Sequence, residues 1–126
     1  MTIRTLLPEP QDLQPDVVRL RRTIHRHPEL GLQLPRTQAA VLKALDGLGL
    51  RVRKGTRLTS VVATLEGGRP GPSILLRADM DALPVHEETG LDFASEVEGV
   101  MHACGRSPTG PATPRSCGAC TGNWSS

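Results

Sequence analysis

The chain has 126 residues and a formal net charge of +2, from 15 Lys and Arg against 13 Asp and Glu. That length suits one ordinary domain, and weak charge spread along the chain with no aromatic platform argues against nucleic acid as its main partner. Phe93 and Trp124 are the only aromatics and Tyr is absent, so any core must be aliphatic.

The opening stretch, MTIRTLLPEPQDLQP, has no long apolar run followed by a small-residue cleavage site. The expectation is therefore no signal peptide and no membrane partner. The 3 Cys all follow residue 100. An odd number makes a poor disulfide framework, so a reducing cytoplasm is the expected location.

Residues 1–11, with Pro8 and Pro10, read as a flexible lead-in. A helix is expected from Asp12, because Leu13, Val17, Leu20 and Ile24 make one apolar stripe at helical spacing. Pro15 and Asp16 suit its first turn. Arg19, Arg21, Arg22 and Arg26 fall largely off the stripe. Pro28 disfavours the α conformation at His27 and so ends the helix within HPELG. His25 and His27 flank that end, where a cation meets the negative pole of the helix dipole, and this reading is preferred to a ligand role.

A second helix is expected from about Pro35, with Val41, Leu45 and Leu48 on its buried face and Gly47 and Gly49 ending it. LRVRKG then alternates like an edge strand, SVVATLEGG reads as a second strand, and GGRPGP is a turn by composition. In SILLRADMDALP the run Ile74, Leu75, Leu76 is that of a strand covered on both faces. The stretch after Pro84 reads as a long loop. Two helices followed by strands imply an α/β layer, and a doubly covered strand with few neighbours implies an unfinished sheet.

Two groups of residues carry chemistry. Asp79 and Asp81 stand two apart at the exit of the apolar run, where an extended strand would turn both to one side. Ligand sites in α/β sheets lie at such strand ends, where a carboxylate can bind a hard metal or orient a histidine that does. A solvated turn before Pro84 is the alternative. His102 and Cys104 stand before Gly105, which allows a sharp turn, although a buried Cys is commonly just a small apolar residue. With Cys117 and Cys120 they have the composition of a four-ligand zinc site, so a small zinc-stabilised binding module is the second functional reading; a chance C-x-x-C in a tail of this composition is the alternative. His86, beside Glu87 and Glu88, reads as solvated. Residues 106–126 contain no Leu, Ile, Val, Phe or Met and can add little to a core.

Taken in order, RRTIHRHPELG, RADMDALPVHEETGLDFAS and GVMHACG resemble the metal-dependent amidohydrolases of the aminoacylase and carboxypeptidase superfamily. The likeness, from about Asp12 to Gly105, is to the hippurate hydrolase and auxin-conjugate hydrolase branch, which cleaves N-acyl amino acids. It implies a catalytic α/β domain built from both ends of a much longer chain, with a smaller dimerisation domain inserted that has no counterpart in this sequence. The fold expected is therefore an incomplete N-terminal part of a catalytic α/β domain, residues 12–105, with two helices followed by strands of a mixed sheet.

The implied reaction is amide hydrolysis of a small N-acyl amino acid by water activated on a divalent metal pair, zinc or manganese, with a downstream Glu as general base. Cys104 matches the first metal-binding residue of this branch, and Asp81 matches the catalytic carboxylate that supports the site. Asp79 falls where other branches place a metal-binding His, and His102 belongs to the motif without being the usual ligand. The family pattern continues from MHACG into His and Asp, whereas this chain has Arg106 and Ser107 and no apolar helix after them. Residues 106–126 therefore read as a disordered or out-of-frame tail. One thiolate and one supporting carboxylate cannot hold two metals, since a catalytic zinc takes about three protein ligands, and the chain alone is expected to be inactive.

Overall fold

A computed structural model describes residues 8–103. Its elements in chain order are α1 (Pro8–Arg26), α2 (Pro35–Leu45), β1 (Arg51–Lys54) and β2 (Val61–Thr64). This is an incomplete α/β unit, two helices followed by strands, as the sequence implies. No helix among the described residues is long and apolar enough to cross a membrane.

Helix α1 begins at Pro8, ahead of the Asp12 start read from the apolar stripe. Prolines in a first turn cost no hydrogen bond, because the leading N–H groups of a helix have no partner within it. Pro15 consequently falls inside the helix rather than in its first turn, where its missing N–H removes one ladder bond. Burial along the stripe grows toward the C-terminus: Leu13 and Val17 are exposed, Leu20 is half-buried and Ile24 is buried.

Helix α2 has Pro35 at its start and no acidic residue in its first turn. The missing negative charge comes from upstream. Glu29 places its carboxylate on the open N-terminus, accepting from the main-chain N–H of Arg36 at 3.1 Å and of Thr37 at 2.8 Å. Val41 and Leu45 are only half-buried, Leu48 lies beyond the helix and is exposed, and the buried α2 residue is Thr37.

Strands β1 and β2 pair antiparallel, with Arg51 opposite Thr64 and Lys54 opposite Val61. Thr59 ties this hairpin to the turn between the helices. Its Oγ1 accepts from Leu34 N–H at 2.7 Å and donates to Leu32 O at 3.0 Å.

The run Ile74–Leu76 does not form the covered strand its composition suggests. These three residues are 89%, 88% and 90% exposed. An apolar run becomes a buried strand only when neighbours supply hydrogen bonds and cover both faces, and the described sheet contains β1 and β2 alone. The core instead sits at the C-terminal end of α1, where Ile24, His25, Leu34, Thr37, Ala82 and His102 are buried.

Candidate active site

Two short pairings bring the chemistry-bearing segments together. Leu30 pairs with Ala82 in parallel and Leu83 with Met101 antiparallel. Ala82 N–H donates to Glu29 O at 2.8 Å; Leu83 and Met101 exchange main-chain bonds of 2.9 and 3.1 Å. These bonds set RADMDALP alongside both HPELG and VMHA.

Asp81, the carboxylate singled out from the sequence, lies exposed immediately before these pairings. It lines one open cleft of about 460 Å³ together with Asp79, Leu34 and Thr59. The two carboxylates thus share a cleft, but Asp79 is engaged by Arg77, whose guanidinium donates to it at 2.8 Å. Asp79 also lines a second, more apolar cavity of about 420 Å³ with Ile24, Val41, Met80 and His102.

His102 is 5% exposed, and its Nε2 is buried without a partner. Burial pushes its imidazole below the ordinary histidine range, the nearby His25 acts in the same direction, and the carboxylate and main chain of Asp81 oppose them.

His25 does more than meet the helix dipole expected at that end. It is buried, and its Nε2 donates to both oxygens of Glu87, at 3.1 and 3.0 Å. That bond assigns the proton to Nε2 and leaves Nδ1 buried with no partner. The His25 ring stands 6.2 Å from that of His102 and meets Phe93 edge-on at 5.8 Å.

Glu87 is the residue that sequence reasoning missed. Its neighbours His86 and Glu88 are exposed, yet its own side chain is only 4% exposed. It also accepts from Thr89 Oγ1 and from Ser95 N–H at 2.7 Å. Burial pushes its carboxyl up, but the bonds from Thr89, Ser95 and His25 outweigh that and hold it below the ordinary carboxylate value. His27 faces Glu96 at 3.5 Å on the outside of the same helix end.

Cys104, Cys117, Cys120, Arg106 and Ser107 lie outside the described residues, as does the whole stretch 106–126. Among the described residues no group of three or more His, Cys, Asp or Glu is arranged to hold a metal ion. The described residues therefore do not by themselves fit a dinuclear metal centre, even though His102 offers an unsatisfied nitrogen. The zinc-module alternative has only His102 within the described residues and finds no support in the geometry.

Comparison with known proteins agrees with the motifs. Residues 75–107 match the profile of Peptidase family M20/M25/M40. Thermostable carboxypeptidase 1 of Saccharolobus solfataricus is 46% identical over 96 residues, 75% of this chain and 24% of that protein. The N-acyl-L-amino acid amidohydrolase of Geobacillus stearothermophilus is 46% identical over 95 residues, 75% of this chain and 25% of its own length. The crystal structure of the Bacillus subtilis YXEP protein, described as a dinuclear metal binding peptidase of the M20 family, superposes with a TM-score of 0.70. It is 38% identical, with 77% of this chain and 27% of that one covered. Fold and motifs thus define the class, an incomplete α/β unit similar to part of these amidohydrolases and metallopeptidases. Along the stretch it shares with these relatives, the chain belongs to peptidase family M20/M25/M40. It spans about a quarter of the length of the curated relatives it matches.

Proposed function

We propose that this chain carries part of the catalytic unit of an amide-bond hydrolase for N-acyl amino acids, with hippurate-like compounds as the substrate class. In this reading residues 12–105 are the partial catalytic domain, 1–11 lead into it with their last four residues already in α1, and 106–126 are a disordered or out-of-frame tail. Cys104 is the first metal-binding residue and Asp81 the carboxylate that supports the site. The relatives whose printed names specify amidohydrolase or deacetylase activity support the substrate class.

The observation that carries the reading is the double main-chain bond between Leu83 and Met101. It joins the two motifs in register and sets Asp81 against His102, two residues before Cys104 in sequence. The same geometry supports inactivity of the chain alone. The described residues supply no set of three donors, and a hydrolytic metal takes about three protein ligands besides its water. No catalytic step is therefore assigned to this polypeptide by itself.

The test is to incubate the purified chain with hippurate or N-acetyl amino acids plus manganese or zinc and to measure released amino acid. No release above buffer is expected. Metal-dependent turnover would overturn the assignment of inactivity. The coding sequence past the Gly105 codon tests the tail: a His-Asp continuation and an apolar helix in another frame are expected, and their absence from every frame would sink the out-of-frame reading.

A further inference from the structure

Residues 84–100 contain neither helix nor strand, yet they are not a free loop. Their base is closed by the Leu83–Met101 pairing, and their middle lies against the end of α1. Glu96 N–H donates to Arg26 O at 2.8 Å, satisfying one of the carbonyls that a helix end leaves open. Arg26 donates from its guanidinium to Asp92 O at 3.0 Å. The Arg22 guanidinium stands 4.6 Å over the Phe93 ring.

The groups fastening this segment differ in kind. The contacts of Glu96 with Arg26 and His27 are at the surface and long, at 3.6 and 3.5 Å, and such contacts contribute little. Glu87 exposes little of its side chain and gathers donors from both sides, His25 from α1 and Thr89 and Ser95 from the segment itself. An ionised carboxylate only accepts hydrogen bonds. Once protonated, the oxygen that carries the proton can no longer accept, so one of these bonds is lost or its partner must turn from donor to acceptor, as Thr89 Oγ1 or a His25 ring with its proton on Nδ1 could and Ser95 N–H could not.

The closed arrangement also strands two polar atoms. His25 Nδ1 and His102 Nε2 are buried without partners. Lifting the segment would expose the His25 side of this pair to water and lower the cost of opening.

We propose that residues 84–100 form a strap that the Glu87 carboxylate latches to the end of α1 and that acid releases as a unit before the helices melt. The proposal does not depend on the roles given to Cys104 and Asp81. The titratable group facing the Glu87 carboxylate is His25 of α1; Arg22 and Arg26 of α1 meet Phe93, the Asp92 main chain and Glu96 elsewhere along the same seam, and His102 with Asp81 lies beyond His25. Hydrogen bonds hold the Glu87 carboxyl below its ordinary value in the closed state. The latch therefore stabilises fully above the unfolded carboxylate value and is lost as pH falls through the lower folded one.

Phe93 is the only phenylalanine in the chain, so 4-fluorophenylalanine gives one fluorine resonance on the strap. On lowering the pH of the full chain, that resonance is expected to move to its solvent-exposed position below the ordinary carboxylate range while helical circular dichroism is retained. Glu87→Gln is expected to show the exposed resonance already at pH 7. Thr89→Val, which touches neither helix, is expected to raise the midpoint by about one pH unit, because it removes a bond that favours the charged carboxylate. It keeps the test valid if Glu87→Gln does not fold. A resonance that moves only together with loss of the helical signal would overturn the proposal. So would a Glu87→Gln chain that keeps the closed resonance at neutral pH, or a Thr89→Val midpoint that does not move.

Discussion

Glu29 caps a helix to which it does not belong: its Oε2 accepts from Thr37 N–H at 2.8 Å, and its Oε1 from Arg36 N–H at 3.1 Å. Leu34, in the capping position itself, offers no side-chain acceptor. The carboxylate thus satisfies two open N–H groups and sits at the positive end of the helix dipole. Glu29→Ala is expected to lower stability by about 1–2 kcal/mol. Glu29→Gln should lose less, because its amide oxygen still accepts one bond. Urea midpoints followed by helical circular dichroism measure both, and equal losses would show that the remaining neutral acceptor contributes nothing and that the carboxylate charge carries the cap.

Local pattern made much of this fold legible. Pro35 and the glycines after Leu45 bound α2, alternation located β1, and the apolar run before the Gly-rich turn located β2, since those signals are set by neighbours in sequence. The cap from Glu29 and the latch at Glu87 were not legible, because each depends on a partner that folding brings near. His25 and Glu87 are 62 residues apart, and nothing in VHEETG distinguishes the one acid with a covered side chain from the exposed residues beside it. The Ile74–Leu76 run shows the opposite failure. Its composition is that of a core strand, but composition records what would cover a segment and not whether the cover is present. At the site, Asp79 and Asp81 line one cleft without the extended strand from which a shared side was read, and the engagement of Asp79 by Arg77 followed only from the fold.

Thr37 presents a simpler case, a buried hydroxyl with no hydrogen-bond partner. Its main-chain N–H makes the bond to Glu29, so the side chain can change without disturbing the cap. Val has nearly the same shape and no polar atom to bury. Thr37→Val is expected to raise stability by about 1 kcal/mol. A loss of stability in the same urea titration would mean that the hydroxyl is satisfied in solution by a group or water bound there.

At the other end of α1, His25→Ala would leave the Glu87 carboxylate buried without its partner from the helix. Breaking a buried pair on one side costs about 3 kcal/mol or more. Gln can place an amide N–H near the position of Nε2, so His25→Gln is expected to recover about half of that loss. Denaturant midpoints at pH 7 compare the two variants with the parent chain. Identical losses would assign the effect to packing against Phe93 and His102 rather than to the bond.

Leu75 is 88% exposed in a continuous apolar run. An uncovered extended segment of this kind invites pairing with other chains. Leu75→Lys is expected to reduce light scattering and sedimenting material at equal protein concentration. Its thermal midpoint should stay close to that of the parent, because substitutions at exposed sites usually change stability by about 0.5 kcal/mol or less. A marked drop in the midpoint would reveal that the run is buried in the folded chain in solution.

Two glycines should respond to alanine for different reasons. Gly31, in the HPELG turn, has φ of 75° with open space around the Cβ that alanine would add. The cost of Gly31→Ala is therefore purely conformational, about 1 kcal/mol. Gly55 lies in the β1–β2 hairpin, where its N–H donates to Ser60 O at 2.9 Å. An added Cβ there would overlap the Leu58 carbonyl and the Ser60 hydroxyl. The hydroxyl can rotate away, but the carbonyl belongs to the main chain and moves only if the hairpin opens. Gly55→Ala is expected to cost about 2–3 kcal/mol and to change the amide resonances of Val61 and Val62, while Gly31→Ala leaves them in place. If both variants lose the same small amount and the Val61 resonance is unmoved, the hairpin in solution is wider at Gly55 than this geometry allows.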